Sequence, residues 1–254
     1  MDGDLPTTPL PADTVGLLEG IVTTRAIRRY RPDPVPPEAL RTILFAASRA
    51  PSGSNRQPFR FIVLTDGPVA ARAKALIGSS ARRIWGHKRA TDRYDEGSGA
   101  RADSPKARMA RTMQRYVDDF ERVPVLILPC LVRYREPNPF EGASVYPACQ
   151  NLLLAARALG YGGVMTGWHQ PVEADLRQLL AVPDGVLLAA TITLGRPEGS
   201  HGPVRRRPLG ELVHGERWGE APGWAVDPPG TRHTAAGPAG GPRRAESPPS
   251  RRTE

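Results

Sequence analysis

Residues 23–66 read TTRAIRRYRPDPVPPEALRTILFAASRAPSGSNRQPFRFIVLTD. Three physical regimes follow one another here. A basic run, Arg25-Ala26-Ile27-Arg28-Arg29, gives way to a proline-broken turn. Pro36 and Pro37 suit the first turn of a helix, where a missing N–H costs nothing, and Glu38 complements the dipole of that end. Leu40, Ile43, Leu44 and Ala47 then recur at helical spacing, which predicts an amphipathic helix over 37–49 that Pro51 stops. After a polar turn, residues 59–65 (FRFIVLT) carry the aromatic and β-branched content of a strand.

Upstream, residues 14–24 predict a helix with Val15, Leu18 and Ile21/Val22 on one face, preceded by a loose lead-in over 1–13. Downstream, 68–78 and 105–121 have helical character around a polar middle, so 68–122 is expected to be a variable helical insert that covers a site. Residues 124–132 (PVLILPCLV) read as a buried strand. Residues 143–159 read as a second strong helix, with Val145, Cys149, Leu152, Ala156 and Leu159 in one stripe and Gly160 as its C-terminal cap. A short strand or loop over 163–167, a short helix over 172–181 and a central strand over 186–194 follow. The domain is expected over 14–219, and 220–254 as a disordered basic Pro/Gly-rich tail, since it holds too little apolar surface to offset its ordering entropy. Interleaved helices and strands imply an α/β or α+β sandwich.

The chain has 254 residues, 39% hydrophobic and 24% charged, with a net charge of +9. That suffices for a core without disulfides or metal. No apolar run is long enough for a membrane helix, and a secretory signal pattern is missing at the start. Cys130 and Cys149 lie in apolar surroundings and read as buried reduced thiols, so a cytoplasmic location is expected. The positive charge is mostly arginine and spread along the chain, without zinc-finger spacing or an RNA-binding aromatic motif. Solvated surface and a few phosphate-facing arginines are preferred to specific nucleic-acid binding.

The sequence lacks a P-loop, an HExxH pair and a GxSxG elbow. The glycines of LGYGGVMTG follow a helix and precede a strand, the reverse of the dinucleotide-binding order, yet Gly162, Gly163 and Gly167 permit close backbone approach to a flat ligand. Three segments stand out. Arg25–Arg29 can present guanidinium forks to a phosphate, or form a solvated basic turn. Ser52-Gly53-Ser54-Asn55-Arg56-Gln57 supplies neutral donors and acceptors suited to the edge of a heterocycle, or is an ordinary connection. Arg205-Arg206-Arg207 can clamp a phosphate, or is a basic loop.

In this order and spacing, together with YPACQNLLLAARALGYGGVMTGWH and GRP…RRRPLGELVHGERW, the segments resemble the nitroreductase-like FMN-dependent oxidoreductase family over roughly 15–218. The resemblance implies an α+β fold, a three-layer sandwich with a central mostly antiparallel sheet flanked by helices, in an intertwined homodimer with FMN at the interface. It implies that Arg25, Ala26, Ile27 and Arg28 bind the FMN phosphate and ribityl chain, and that Arg205 and Arg207 join them on the phosphate. Ser52, Gly53, Ser54, Asn55 and Gln57 would border the flavin from the other subunit; Met165, Thr166 and Gly167 would pass its reactive edge. The family often has Arg-Arg-Ser-[Ile/Val]-Arg where this chain has Thr24-Arg25-Ala26-Ile27-Arg28.

The implied activity is hydride transfer from NADPH or NADH to a small organic acceptor, nitroaromatic or quinone-like, by a ping-pong mechanism. The flavin carries the hydride chemistry, so no catalytic side chain and no metal is needed. His169 reads as a structural histidine rather than a proton donor, and Trp85, Tyr94, Tyr116 and Trp168 as packing rather than substrate stacking. A flavin-sequestering protein, a flavin-dependent dehydrogenase of a biosynthetic intermediate, and a nucleic-acid binder suggested by charge alone are the alternatives.

Overall fold

The computed structural model describes residues 9–234. Its elements run α1 (Leu17–Thr23), α2 (Pro37–Ser48), β1 (Phe59–Leu64), α3 (Pro68–Thr91), α4 (Pro105–Asp118), β2 (Val125–Val132), α5 (Tyr146–Ala158), β3 (Gly162–Thr166), α6 (Glu173–Leu179), β4 (Val186–Leu188), β5 (Thr191–Gly195) and α7 (Leu209–Leu212). The strands form one sheet in the order β1-β2-β5-β3, with β4 on β2, and every pairing is antiparallel.

Strand alternation sorts β2 between two cores. Val125, Ile127 and Leu131 face one side with Phe59, Ile192 and Leu194, and pack against Ile43 and Ala47 of α2 and Cys149, Leu152 and Ala156 of α5. Leu126, Leu128 and Cys130 face the other side with Val164 and Leu188, against α3, α4 and Leu176 of α6. Burial on both faces explains why VLILPCLV shows no polar alternation. The result is an α+β three-layer sandwich.

One expectation changes. The strand expected over 186–194 is two strands, β4 and β5. Pro129 of β2 stands opposite the break: its carbonyl accepts the Ala189 N–H at 2.8 Å, but it has no N–H to return, so an unbroken ladder cannot pass. The segment 68–122 is helical as expected, and its helices pack into the core within one helical layer. Ala70, Ala73, Ile77, Ala81 and Trp85 of α3 are buried at three- and four-residue intervals, facing Ala110 and Val117 of α4. Ser104 caps α4 by accepting the Ala107 N–H at 3.0 Å. Trp85 donates to Gln114 across the two helices at 3.0 Å. Trp85 and Tyr116 are buried, Tyr94 packs on Trp85 at 5.1 Å and Trp168 on Tyr116 at 5.2 Å, so these rings are packing elements.

The chain divides after Pro203 into two compact units. In the second, α7 opens at Leu209, whose N–H donates to Asp227 Oδ2 at 2.9 Å. The Gly215 N–H donates to the Glu220 carbonyl at 2.6 Å, and the Thr234 N–H to the Arg206 carbonyl at 3.0 Å. The disorder expected from 220 therefore does not hold over 220–234: polar capping and backbone bonds organise a segment whose apolar content alone could not. Residues 235–254 of the expected tail, and 1–8 of the expected lead-in, lie outside the described residues.

Candidate functional site

The segment Arg25–Arg28 leaves α1 and docks along the outer edge of β3. The Ile27 N–H donates to the Gly163 carbonyl at 3.0 Å, the Glu198 N–H to the Arg29 carbonyl at 3.1 Å, and the Arg31 N–H to the Arg196 carbonyl at 2.8 Å. Ile27 is buried; Arg25 and Ala26 are exposed. A Cβ at Gly162 would lie 2.5 Å from the Ile27 side chain, and one at Gly163 2.5 Å from the Thr193 carbonyl. The two glycines thus admit the protein's own chain rather than a ligand. At Gly167 the nearest atoms to a Cβ belong only to the Gln170 side chain, at 3.6 Å, so that stretch stays approachable.

A buried polar chain pins the same segment from below. The Tyr30 hydroxyl donates to the Ile27 carbonyl at 2.6 Å and lies 2.8 Å from Thr193 Oγ1, which lies 2.6 Å from the Tyr116 hydroxyl. Burial, then the nearby Tyr116, holds the Tyr30 phenol well above its ordinary pKa; burial likewise raises Tyr116, so both keep their protons.

Arg28 lines a cavity of about 180 Å³ with Arg29, Tyr30, Arg115, Tyr116 and Arg122. Two carboxylates also line it: Glu198, 2.8 Å from Arg115, and Asp119, 2.8 Å from Arg122. Arg28 Nε is buried with no hydrogen-bond partner. Arg115 and Arg122 escape sequence reasoning because α4 and the turn after it bring them beside Arg28 only in the tertiary fold.

Ser52–Gln57 forms a tight turn between α2 and β1. Ser54, Asn55 and Gln57 adopt φ of 51°, 50° and 49°, left-handed values that cost a non-glycine residue about 1–2 kcal/mol each. Ser52 Oγ accepts the Gln57 N–H at 2.8 Å, and the Gln57 amide donates to Asn55 Oδ1 at 3.1 Å. The turn feeds β1, whereas Arg25–Arg28 docks on β3, at the opposite edge of the sheet. Within one chain, strand spacing puts β1 and β3 themselves about 14 Å apart across three ladder steps.

Met165 is 42% exposed. Because strand backbones alternate, its N–H and C=O point outward with the Gly163 carbonyl. Thr166 pairs with Thr191. Beyond Gly167 the chain turns into the core, where His169 is fully enclosed: Nδ1 is 3.1 Å from Thr191 Oγ1 and Nε2 2.8 Å from the Leu188 carbonyl. Burial lowers its pKa, so it is a neutral structural histidine. Arg205 and Arg207 begin the second unit, where Arg207 pairs with Glu211 at 3.3 Å.

An apolar surface lies on another side of the first unit. Leu17, Leu18, Ile21 and Val22 of α1 and Phe45 of α2 are 46–77% exposed, and Leu17 and Phe45 line a cavity of about 360 Å³ together with Leu154 of α5. Of the stripe expected on one face of α1, Leu18, Ile21 and Val22 are exposed. Among the described residues no His, Cys, Asp and Glu cluster suits a metal ion, and no helix is long and apolar enough to cross a membrane.

The sequence model of the Nitroreductase family matches residues 21–196. A Methanothermobacter thermautotrophicus protein described as an NADH dehydrogenase/NAD(P)H nitroreductase is 28% identical, over 80% of this chain and 87% of its own. A 5,6-dimethylbenzimidazole synthase from Rhodospirillum rubrum is 26% identical, over 70% and 80%. A crystal structure from Desulfovibrio desulfuricans, described as a nitroreductase in complex with FMN, superposes with a TM-score of 0.58 at 31% identity, covering 80% of this chain and 97% of that one.

Proposed function

The chain belongs to the nitroreductase family, and on that premise we propose that it is an FMN-dependent oxidoreductase passing hydride from NADPH or NADH to a small organic acceptor, nitroaromatic or quinone-like, by a ping-pong mechanism. The observation that carries this reading is the edge of β3. There an exposed basic segment, an outward-facing Met165 backbone and an approachable Gly167 lie in sequence along one strand. That is the layout a phosphate joined to a flat ring requires.

FMN, when bound, supplies the hydride chemistry at its N5 position. Arg25, Ala26, Ile27 and Arg28 would hold its phosphate and ribityl chain, with Arg205 and Arg207 as further phosphate ligands. Arg28 has an orphaned buried Nε for such a group, and it stands beside Arg115 in a basic cavity, which suits the negative charge of a reduced flavin. The Met165 N–H, with Thr166 and Gly167, would border the reactive edge.

Ser52, Gly53, Ser54, Asn55 and Gln57 would border the ring from a second copy of the chain. Two observations support that homodimer. The turn lies at the wrong edge of its own sheet to reach β3, and α1 exposes four large aliphatic side chains that water disfavours. The dimethylbenzimidazole synthase among the relatives supports an alternative, a flavin-dependent dehydrogenase in which a biosynthetic intermediate is the electron donor to the bound flavin.

The test is stopped-flow oxidation of NADH and NADPH by the FMN-loaded protein, followed by addition of a nitroaromatic or a quinone. Rapid reduction by one nucleotide and reoxidation by an acceptor are expected. Flavin that binds yet is reduced by neither nucleotide would replace the enzyme with a sequestering protein.

A further inference from the structure

Three basic side chains gather where α1 hands over to the Arg25 segment, and two of them, Arg157 and His201, have no role in the assignment above. Thr23 is the pivot. Its carbonyl accepts the Gly202 N–H at 3.3 Å, and its hydroxyl accepts Arg157 Nη2 at 3.4 Å. A Cβ at Gly202 would lie 3.9 Å from Arg25 Nη1. His201 is fixed from the other side, its Nε2 donating to the Tyr161 carbonyl at 3.0 Å.

Both newcomers carry an orphan. Arg157 Nε and His201 Nδ1 are buried without a hydrogen-bond partner. The carbonyl contact fixes the proton of the neutral imidazole on Nε2, so Nδ1 is then a bare acceptor. Protonated, Nδ1 becomes a donor that needs an anion. Among the described residues the charges acting on His201 are those of Arg157 and Arg25, both repelling a proton, and no carboxylate. Glu198, three residues earlier, is turned to Arg115 instead. Arg196 stacks on the Tyr161 ring at 5.2 Å and adds further positive charge. Two arginines, one with an unused donor, beside an imidazole that becomes a donor on protonation, with no ion-paired carboxylate on them among the described residues, make a site for a dianion.

We propose that Arg157 and His201 complete, with Arg25, the phosphate pocket for FMN, and that His201 takes up a proton as the phosphate binds. The proposal rests on the flavin reading above and adds two residues and a pH dependence to it. In the free protein, burial and the two arginines lower the His201 pKa, so the ring is neutral near neutral pH. A phosphate at Nδ1 reverses the balance and raises it. His201 therefore contributes fully to binding below its free-protein pKa, and that contribution disappears as pH rises through its value in the complex.

The experiment is a titration of the full-length apoprotein with FMN and with riboflavin, which lacks the phosphate, across pH. It compares the wild type with H201Q and R157A. Glutamine keeps a donor for the Tyr161 carbonyl. The second ionisation of the FMN phosphate acts on all three proteins, so ratios between them isolate the side chains. Expected is an H201Q affinity for FMN about tenfold weaker at about pH 6, converging on wild type by about pH 8.5, and an R157A affinity at least about tenfold weaker throughout. Riboflavin affinity should be unchanged by either substitution. Ring NMR of wild-type His201 gives an independent readout: its pKa should rise on addition of FMN and not of riboflavin. FMN binding with wild-type affinity and pH profile in both variants, or a His201 resonance indifferent to FMN, overturns this proposal and leaves the flavin reading standing. A wild type that binds no FMN overturns both.

Discussion

Thr193→Val tests the polar chain beneath the Arg25 segment. Valine keeps the shape of threonine and removes the hydroxyl. The Tyr116 hydroxyl, buried at 2% exposure, then loses its Thr193 partner at 2.6 Å. An unsatisfied buried hydroxyl costs about 1–3 kcal/mol. The Tyr30 hydroxyl loses one contact but keeps the Ile27 carbonyl at 2.6 Å, a loss of about 1 kcal/mol. The sum is about 2–4 kcal/mol. Tyr116→Phe removes a hydroxyl and leaves Thr193 bonded to Tyr30, which should cost only about 1 kcal/mol. In the double variant the buried orphan is gone, so it should be more stable than the sum of the single losses by about 1–2 kcal/mol. Urea unfolding of the FMN-free protein at fixed concentration measures all three, since ligand and dimer both shift apparent stability. Strict additivity, to within about 0.5 kcal/mol, would show that Thr193 and Tyr116 are not coupled and would refute the reasoning.

Removing together two guanidinium groups proposed for the phosphate, Arg25→Ala with Arg207→Ala, should weaken FMN at least about 100-fold in a fluorescence titration; normal occupancy would contradict the phosphate assignment. Leu18→Asp with Ile21→Asp places charge on the exposed α1 face, where each leucine or isoleucine is worth about 1.5–3 kcal/mol when buried and appears twice in a two-fold interface. The variant should sediment as a folded monomer with little FMN, and an unchanged dimer would remove α1 from the interface. Burial pushes the thiols up to about 11 at Cys130 and about 12 at Cys149. Neither should react with a thiolate-selective reagent near neutral pH until the protein is unfolded, and fast labelling of the native protein would show that the core opens.

The sequence made α2, α5 and β2 readable because their signals are local. Pro37 opens α2 within a residue of where the spacing of Leu40, Ile43, Leu44 and Ala47 put it, and Gly160, at φ 78°, ends α5 as a left-handed cap. The misses have tertiary causes. The apolar stripe of α1 was legible, but the direction it faces was not: Leu18 and Ile21 are exposed among the described residues. The buried face of α3 is built largely of alanines, which read as weak apolarity although Ala73 and Ala81 are fully enclosed. The break between β4 and β5 depends on Pro129, some 60 residues away in sequence and adjacent only through the sheet. Within the candidate site, Arg28 was legible from its motif; Arg115 and Arg122 came into view only with the packing of α4 beside it. Gly162 and Gly163 signalled close approach correctly, but what approaches is Ile27 and β5.

Two chains sharing one flavin, held by the basic segment on β3, is what every other statement about function depends on. The visible absorption of freshly purified protein, recorded anaerobically before and after NADPH or NADH, addresses it most directly. A yellow protein whose flavin band bleaches with at least one nucleotide is the predicted result. A colourless protein that takes up no added FMN would contradict it.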